Sequence, residues 1–371
     1  MRDLLVVVGA RPNFVKVAPV LRALRRHRGV RTRVLHTGQH YDRTMSRAFL
    51  DRLGFPEPEF ELRVGSGSHA EQTAAVLVGV ERVLSAEPFD AVLVAGDVNS
   101  TLAAALAASK LGVAVIHLEA GLRSGDWTMP EEINRVLTDR LSDLLLVHCA
   151  AAIDNLAAEG IQAERVAMVG NTMIDSLLAL LPAARACGAL AQHDLEPRGY
   201  VLVTLHRPAL VDEPARLAAV VEVLADVADA MPVVFPLHPR TRARLSERHA
   251  HALQRLRVLP PLDYLEFIEL EAHARLVITD SGGVQEETTA LGIPCLTYRT
   301  TTERPVTISQ GTNELVGLDP QRLRARCATL IEQPWAHKRC SVALWDGHAG
   351  ERAAAAIAGF LTRPRPATAA S

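Results

Sequence analysis

The stretch Leu4-Leu5-Val6-Val7-Val8-Gly9-Ala10-Arg11-Pro12-Asn13-Phe14-Val15-Lys16 sets the reading of the whole chain. An unbroken apolar run from Leu4 to Val8 is the pattern of a strand buried on both faces. Gly9 permits the tight turn that ends it. Phe14, Val17, Ala18, Leu21 and Leu24 then follow at helical spacing. Strand, glycine turn and amphipathic helix make the opening unit of a parallel α/β fold. The same stretch superficially resembles a leader peptide, but its apolar run is short and ends without an A-x-A site, so we read it as the first strand.

The unit recurs. Thr32–His36, Ala91–Ala95, Val113–Leu118, Leu144–His148 and Arg165–Val169 read as further buried strands. A helix is expected between the last strands, with Ile133, Val136, Leu137 and Leu141 on its apolar face. Leu181–Gly199 is Ala-rich, weakly periodic and closed by Pro197 and Gly199, and reads as a connector. Alternation resumes with strands at Tyr200–Leu205, Val233–Leu237, Arg275–Thr279 and Pro294–Tyr298. A helix from about Asp212 carries Leu217, Val220, Val221, Leu224 and Val227 on one face. The expected class is therefore α/β, with two doubly wound Rossmann-like domains. Their bounds are residues 1–171 and 172–348; a helix at 349–361 packs back on the first domain, and a disordered tail spans 362–371.

Composition is ordinary for a soluble globular protein. The 371 residues are 49% hydrophobic and 22% charged, with net charge −2. Neither nucleic acid nor membrane is expected as a partner, since bulk charge is near zero and aromatics are only 4%. Cys149, Cys187, Cys295, Cys327 and Cys340 form no CxxC pair, which suggests reduced thiols and a cytoplasmic setting. No apolar run is long enough for a transmembrane helix.

Ligands of open α/β sheets bind beyond the carboxyl ends of strands. There the first half places Gly9–Lys16, with cations Arg11 and Lys16; Gly96-Asp97; and Glu119, for which Arg123 is a possible ion-pair partner. Glu131 opens the following helix. Three carboxylates, Asp97, Glu119 and Glu131, suit acid/base chemistry. The second half carries groups suited to anions. These are His206-Arg207, His238-Pro239-Arg240, Thr300–Pro305, and above all Asp280-Ser281-Gly282-Gly283-Val284-Gln285-Glu286-Glu287, a glycine pair at a helix start. No metal-ligand spacing, G-x-S-x-G elbow or G-x-G-x-x-G fingerprint is present, so no metal and no NAD are expected.

Taken in order, GARPNFVK (9–16), GQH (38–40), GD (96–97), HLEAGLR (117–123), PEEINR (130–135), GNT (170–172), HR (206–207), DSGGVQEE (280–287) and TTERP (301–305) resemble the bacterial UDP-N-acetylglucosamine 2-epimerases of the non-hydrolysing type. The resemblance implies a GT-B-like fold, two Rossmann-like domains facing across a cleft, usually as a homodimer in the cytoplasm. It implies interconversion of UDP-GlcNAc and UDP-ManNAc without cofactor, through elimination of UDP to 2-acetamidoglucal and re-addition. It further implies Asp97, Glu119 and Glu131 as acid/base groups and His206 against the diphosphate. Arg11 and Lys16 would reach phosphates and sugar, and Ser281, Gly282 and Gly283 would hold the diphosphate. Glu287 would hold the ribose, Phe267 would lie near uracil, and Arg304 would line the substrate site. Three positions depart from common members of the family. Ala209 follows the His-Arg pair, Leu262 stands where some members have Gln, and Asp42 stands where members with a substrate-activated allosteric site have a second Gln. A hydrolysing relative, an epimerase of another UDP-2-acetamido sugar, and a non-catalytic sugar-nucleotide sensor are the alternatives. The sensor would be expected to have lost the carboxylates.

Overall fold

The computed structural model describes residues 1–39, 47–334 and 340–363, without the side chains of Arg11, Arg47 and Ala48. His40 and Asp42, and nearly all of the expected tail, lie outside these residues. The chain divides into two compact units. Unit 1 holds Met1–Ser176 and a return segment beginning at Ala343; unit 2 is Leu177–Val342. The first division falls inside a helix, Thr172–Arg185, rather than between residues 171 and 172.

Among the described residues, unit 1 is built on a seven-stranded parallel sheet. Its strands are β1 (Arg2–Val8), β2 (Val30–His36), β3 (Phe60–Glu61), β4 (Ala91–Ala95), β5 (Ala114–Leu118), β6 (Leu144–Val147) and β7 (Val166–Met168), in the order β3-β2-β1-β4-β5-β6-β7. Unit 2 holds a six-stranded parallel sheet of β8 (Val201–Thr204), β9 (Val233–Pro236), β10 (Arg257–Leu259), β11 (Leu276–Thr279), β12 (Cys295–Thr297) and β13 (Asn313–Leu315), ordered β10-β9-β8-β11-β12-β13. Each is doubly wound, because helices must cover both faces of a sheet whose strands are apolar on both sides. Leu4, Leu5, Val6 and Val8 are wholly buried, each contributing about 1.5–3 kcal/mol. In both sheets the strand order reverses beside the first strand, between β1 and β4 and between β8 and β11. That is where such folds bind ligands.

The expected strands are all present, with ends shifted by a residue or two. The expected connector at Leu181–Gly199 is corrected in part. The helix Thr172–Arg185 continues through Pro182, and Ala189–Gln192 forms a further helical turn. Alanine supplies helix propensity there without the apolar contrast that reveals a helix in sequence.

The return segment builds into unit 1. Helix Ala349–Thr362 packs on helix Arg11–Leu24, and a Cβ at Gly350 would stand 2.7 Å from the Pro19 backbone. Asp175 caps it, accepting from the Ala349 and Gly350 N–H groups at 3.1 and 2.7 Å. Trp345 Nε1 donates to the His148 carbonyl at 3.0 Å.

Candidate active site

In unit 1 the turn after β1 is fixed by Asn13. Its side-chain carbonyl accepts from the Gly9 and Ala10 N–H groups, both at 3.0 Å, and its amide donates to the Ala95 carbonyl at 2.8 Å. The ends of β1 and β4 are thereby tied together. Gly96 follows β4 with φ of 67°, and a Cβ there would lie 3.1 Å from Lys16 Nζ. Lys16 reaches this point from the first helix and forms a buried ion pair with Glu119. Glu119 itself takes a left-handed backbone conformation, φ 70°, unusual for a residue with a side chain and typical of functional sites. Its N–H and that of Ala120 both donate to the Leu146 carbonyl, at 3.0 and 3.1 Å.

Asp97 follows Gly96. Its carboxylate pairs with Arg135, and its carbonyl accepts from the Asn134 amide at 2.9 Å. Arg135 also pairs with Glu132, which accepts from the Ser124 and Gly125 N–H groups at 2.8–3.0 Å. Burial pushes the Glu132 carboxyl up, but these N–H groups and Arg135 outweigh it, and the net shift is downward. The helix Pro130–Leu141 thus turns Glu132, Asn134, Arg135, Thr138 and Asp139 inward. Ile133 and Leu137, expected on its buried face, are 40% and 45% exposed. Glu131 is half-buried in the first turn of this helix.

Arg123, a possible ion-pair partner of Glu119 in the sequence, pairs elsewhere. Arg123 Nη1 lies 2.7 Å from Asp139 Oδ2, and Arg123 Nε lies 2.6 Å from Glu159. Asp139 in turn faces His117 Nδ1 at 2.6 Å. Burial would raise the Asp139 carboxyl, yet His117 and Arg123 hold it below the usual range.

In unit 2 the wholly buried Asp280 organises the ends of β8 and β11. It accepts from the backbone N–H groups of His206 and Arg207 at 2.8–3.1 Å, and its Oδ1 lies 3.2 Å from His206 Nδ1. Burial lowers the His206 pKa, with Asp280 opposing. The His206 and His238 rings lie with centroids 5.2 Å apart. Ser281 precedes helix Gly282–Leu291, whose first residues are the glycine pair. A Cβ on Gly282 would collide with the Arg304 guanidinium, 2.7 Å from Cζ. Arg304 pairs with Glu303 and with Glu286, the latter at 3.1 Å; Arg299 and Arg207 approach Glu303 at 2.9 and 3.6 Å. Three guanidinium groups thus share two carboxylates beside a helix N-terminus, an arrangement biased toward an anion. Burial lowers the Arg299 pKa despite Glu303. One turn on, Glu287 accepts from the Tyr264 hydroxyl at 2.5 Å. Phe267, from the same helix as Tyr264, is half-buried against the Tyr200 and Leu270 core cluster.

The structure brings Lys16, Asp97 and Glu119 together in unit 1, and His206, Ser281, Gly282, Gly283 and Arg304 in unit 2. Glu287 stands with Tyr264. Arg11 is the first residue of its helix, its side chain lying outside the description. Sequence reasoning missed Arg135, Glu303, Glu286 and Tyr264. The first three lie inside quoted motifs, so the pattern marked their neighbourhood but not their partners. Among the described residues no group of three or more His, Cys, Asp or Glu side chains could hold a metal ion, and no helix is long and apolar enough to cross a membrane.

A family model described as UDP-N-acetylglucosamine 2-epimerase matches residues 22–358. The chain is 42% identical over 327 residues to the UDP-N-acetylglucosamine 2-epimerase of Methanocaldococcus jannaschii, covering 86% of this chain and 89% of that one. It is 44% identical over 317 residues to the UDP-2,3-diacetamido-2,3-dideoxy-D-glucuronate 2-epimerase of Pseudomonas aeruginosa, covering 85% and 88%. The crystal structure of the M. jannaschii UDP-GlcNAc 2-epimerase in complex with UDP-GlcNAc and UDP matches with a TM-score of 0.87 at 40% identity, over 97% of this chain and 99% of that chain. The two parallel α/β units share the GT-B-like fold of these neighbours.

Proposed function

The chain belongs to the UDP-N-acetylglucosamine 2-epimerase family, and from that premise we propose that it interconverts UDP-GlcNAc and UDP-ManNAc without releasing the free sugar. The observation that carries this reading is the buried Lys16–Glu119 pair, with Glu119 in a left-handed backbone beside Asp97 at the sheet's switch point. A sensor of sugar nucleotides has no need of strained, ion-paired carboxylates there.

In the proposed reaction a carboxylate takes the C2 proton. The C2–H electron pair becomes the C1=C2 bond, and UDP departs with the electrons of the C1–O bond. UDP then attacks C1 of the 2-acetamidoglucal while a carboxylic acid returns a proton to the opposite face of C2. Asp97, Glu119 and Glu131 are the acid/base groups. The departing diphosphate develops negative charge, which Arg304, His206, Ser281 and the N–H groups of Gly282 and Gly283 are suited to hold. Lys16 and Arg11 are assigned to the sugar and phosphates, Glu287 to the ribose and Phe267 to the uracil side.

A second reading, support for which comes from the P. aeruginosa relative, keeps the same C2 chemistry on a UDP-2,3-diacetamido uronic acid. Proton NMR of the protein with UDP-GlcNAc in deuterated water, with no NAD or metal added, separates the possibilities. UDP-ManNAc carrying deuterium at C2 supports the proposal. Free ManNAc and UDP would mark the hydrolysing reaction, and an unchanged spectrum with UDP still bound would turn attention to the diacetamido substrate.

A further inference from the structure

We propose that His117 and Asp139 form a single clamp that positions both carboxylate-bearing turns of unit 1. The inference rests on the functional reading above. His117 lies on β5 and is wholly buried, as is Asp139. His117 Nε2 lies 2.9 Å from the Gly96 carbonyl and Nδ1 lies 2.6 Å from Asp139 Oδ1. The Gly96 carbonyl and the Asp139 carboxylate flank the two ring nitrogens, and the ring is spanned between two fixed points. The first point is the residue before Asp97, itself in a left-handed conformation. Asp139 completes the clamp on the other side: its Oδ2 accepts from the Gly121 N–H at 3.0 Å, two residues beyond Glu119. Arg123 and Glu159 extend the chain of charge and leave the Asp139 carboxylate compensated.

The turn at Gly96 and the turn at Glu119–Gly121 both depart from ordinary backbone, with φ of 67°, 70° and 80° at Gly96, Glu119 and Gly121. Glycine takes such angles freely, but at Glu119, which carries a side chain, the conformation persists only where surrounding contacts over-determine it. The clamp joins the two turns through one imidazole and one carboxylate, so the spacing between Asp97 and Glu119 depends on it. Neither His117 nor Asp139 is assigned contact with substrate; they are positioning residues. Acid and base must act on opposite faces of one carbon, and a shift of about 1 Å between them is enough to lower turnover about 100-fold.

The test is a kinetic cycle on the full-length protein with His117→Gln, Asp139→Asn and the double variant. Folding is checked by thermal melting, and UDP affinity by calorimetry. The expected result is a kcat lower by about 100-fold in each single variant, with KM and UDP affinity within about twofold. The double variant is expected to lose no more than either single one, because one clamp is broken once. Free 2-acetamidoglucal and UDP should also accumulate, since misplacing one carboxylate uncouples elimination from re-addition. A folded Asp139→Asn protein carries the test if His117→Gln does not fold. Unchanged kcat in a folded variant, or losses that multiply in the double variant, would overturn the clamp. An inactive wild-type protein would instead overturn the functional reading, and this inference with it.

Discussion

Lys16 and Glu119 pair in unit 1 with only 9% and 11% of their side chains exposed, which makes each the other's counter-charge. Removing one partner of a buried pair leaves the other uncompensated, which destabilises by about 3–5 kcal/mol. Lys16→Met is therefore expected to lower stability in denaturant titrations and to abolish measurable turnover. Glu119→Gln keeps shape and leaves Lys16 a carbonyl to donate to, so it should fold while losing about 100- to 10,000-fold in kcat. A Glu119→Gln protein with wild-type kcat would remove Glu119 from the acid/base set.

Asp97 provides the companion test. Its carboxylate pairs with Arg135, which is also held by Glu132. Asp97→Asn preserves the hydrogen-bond geometry and removes the charge. We expect kcat to fall by about 100-fold or more with UDP affinity unchanged, because Asp97 is assigned to the proton at C2 and not to the diphosphate. Arg135→Lys cannot hold two carboxylates with one fork and should lower kcat by a smaller factor. Loss of UDP binding in Asp97→Asn, measured by calorimetry, would contradict the division of labour.

These residues show where sequence reading succeeds and where it stops. Central strands such as β1 and β4 are buried on both faces, and their apolar runs identify them. The strands not anticipated are β3, β10 and β13, all at sheet edges, where half-exposed residues such as Glu61, Arg257 and Glu314 erase the apolar run. The helix Pro130–Leu141 reads backwards in sequence, because its inward face is polar. Glu132, Asn134 and Arg135 serve the site there, so the apolar stripe was assigned to the wrong side. Motif positions placed Asp97, Glu119 and the Gly282 pair at strand ends. Their partners Arg135 and Lys16, and Arg304 beside Gly282, are remote in sequence, and pairing depends on register and side-chain direction.

Gly282 gives a test in unit 2 in which two effects oppose. Gly to Ala inside a helix normally stabilises by up to about 1 kcal/mol. Here the added Cβ would lie 2.7 Å from Arg304 Cζ and 2.8 Å from Glu303 Oε1, so the guanidinium must move. Displacing one charge-assisted donor removes about 1.5–3 kcal/mol from anion binding, which is at least about tenfold in affinity. Gly282→Ala should therefore melt near the wild-type temperature while binding UDP at least about tenfold more weakly. An unchanged UDP affinity would place the anion elsewhere.

Glu271 yields a prediction in pH rather than in turnover. It is wholly buried, and neither carboxylate oxygen has a hydrogen-bond partner among the described residues. Burial, with the nearby Glu287 adding to it, pushes its pKa well above 4.5. The folded protein therefore holds this proton to higher pH than the unfolded chain, which ionises once pH exceeds that ordinary value. Between the unfolded and folded values the native state binds more protons, so stability falls as pH rises through that window. Glu271→Gln removes the titration and should leave UDP affinity unaltered. The melting temperature of the variant relative to wild type should therefore climb as pH is raised above about 5. A difference that stays constant with pH would mean that Glu271 is ionised in the folded state, with a counter-charge beside it.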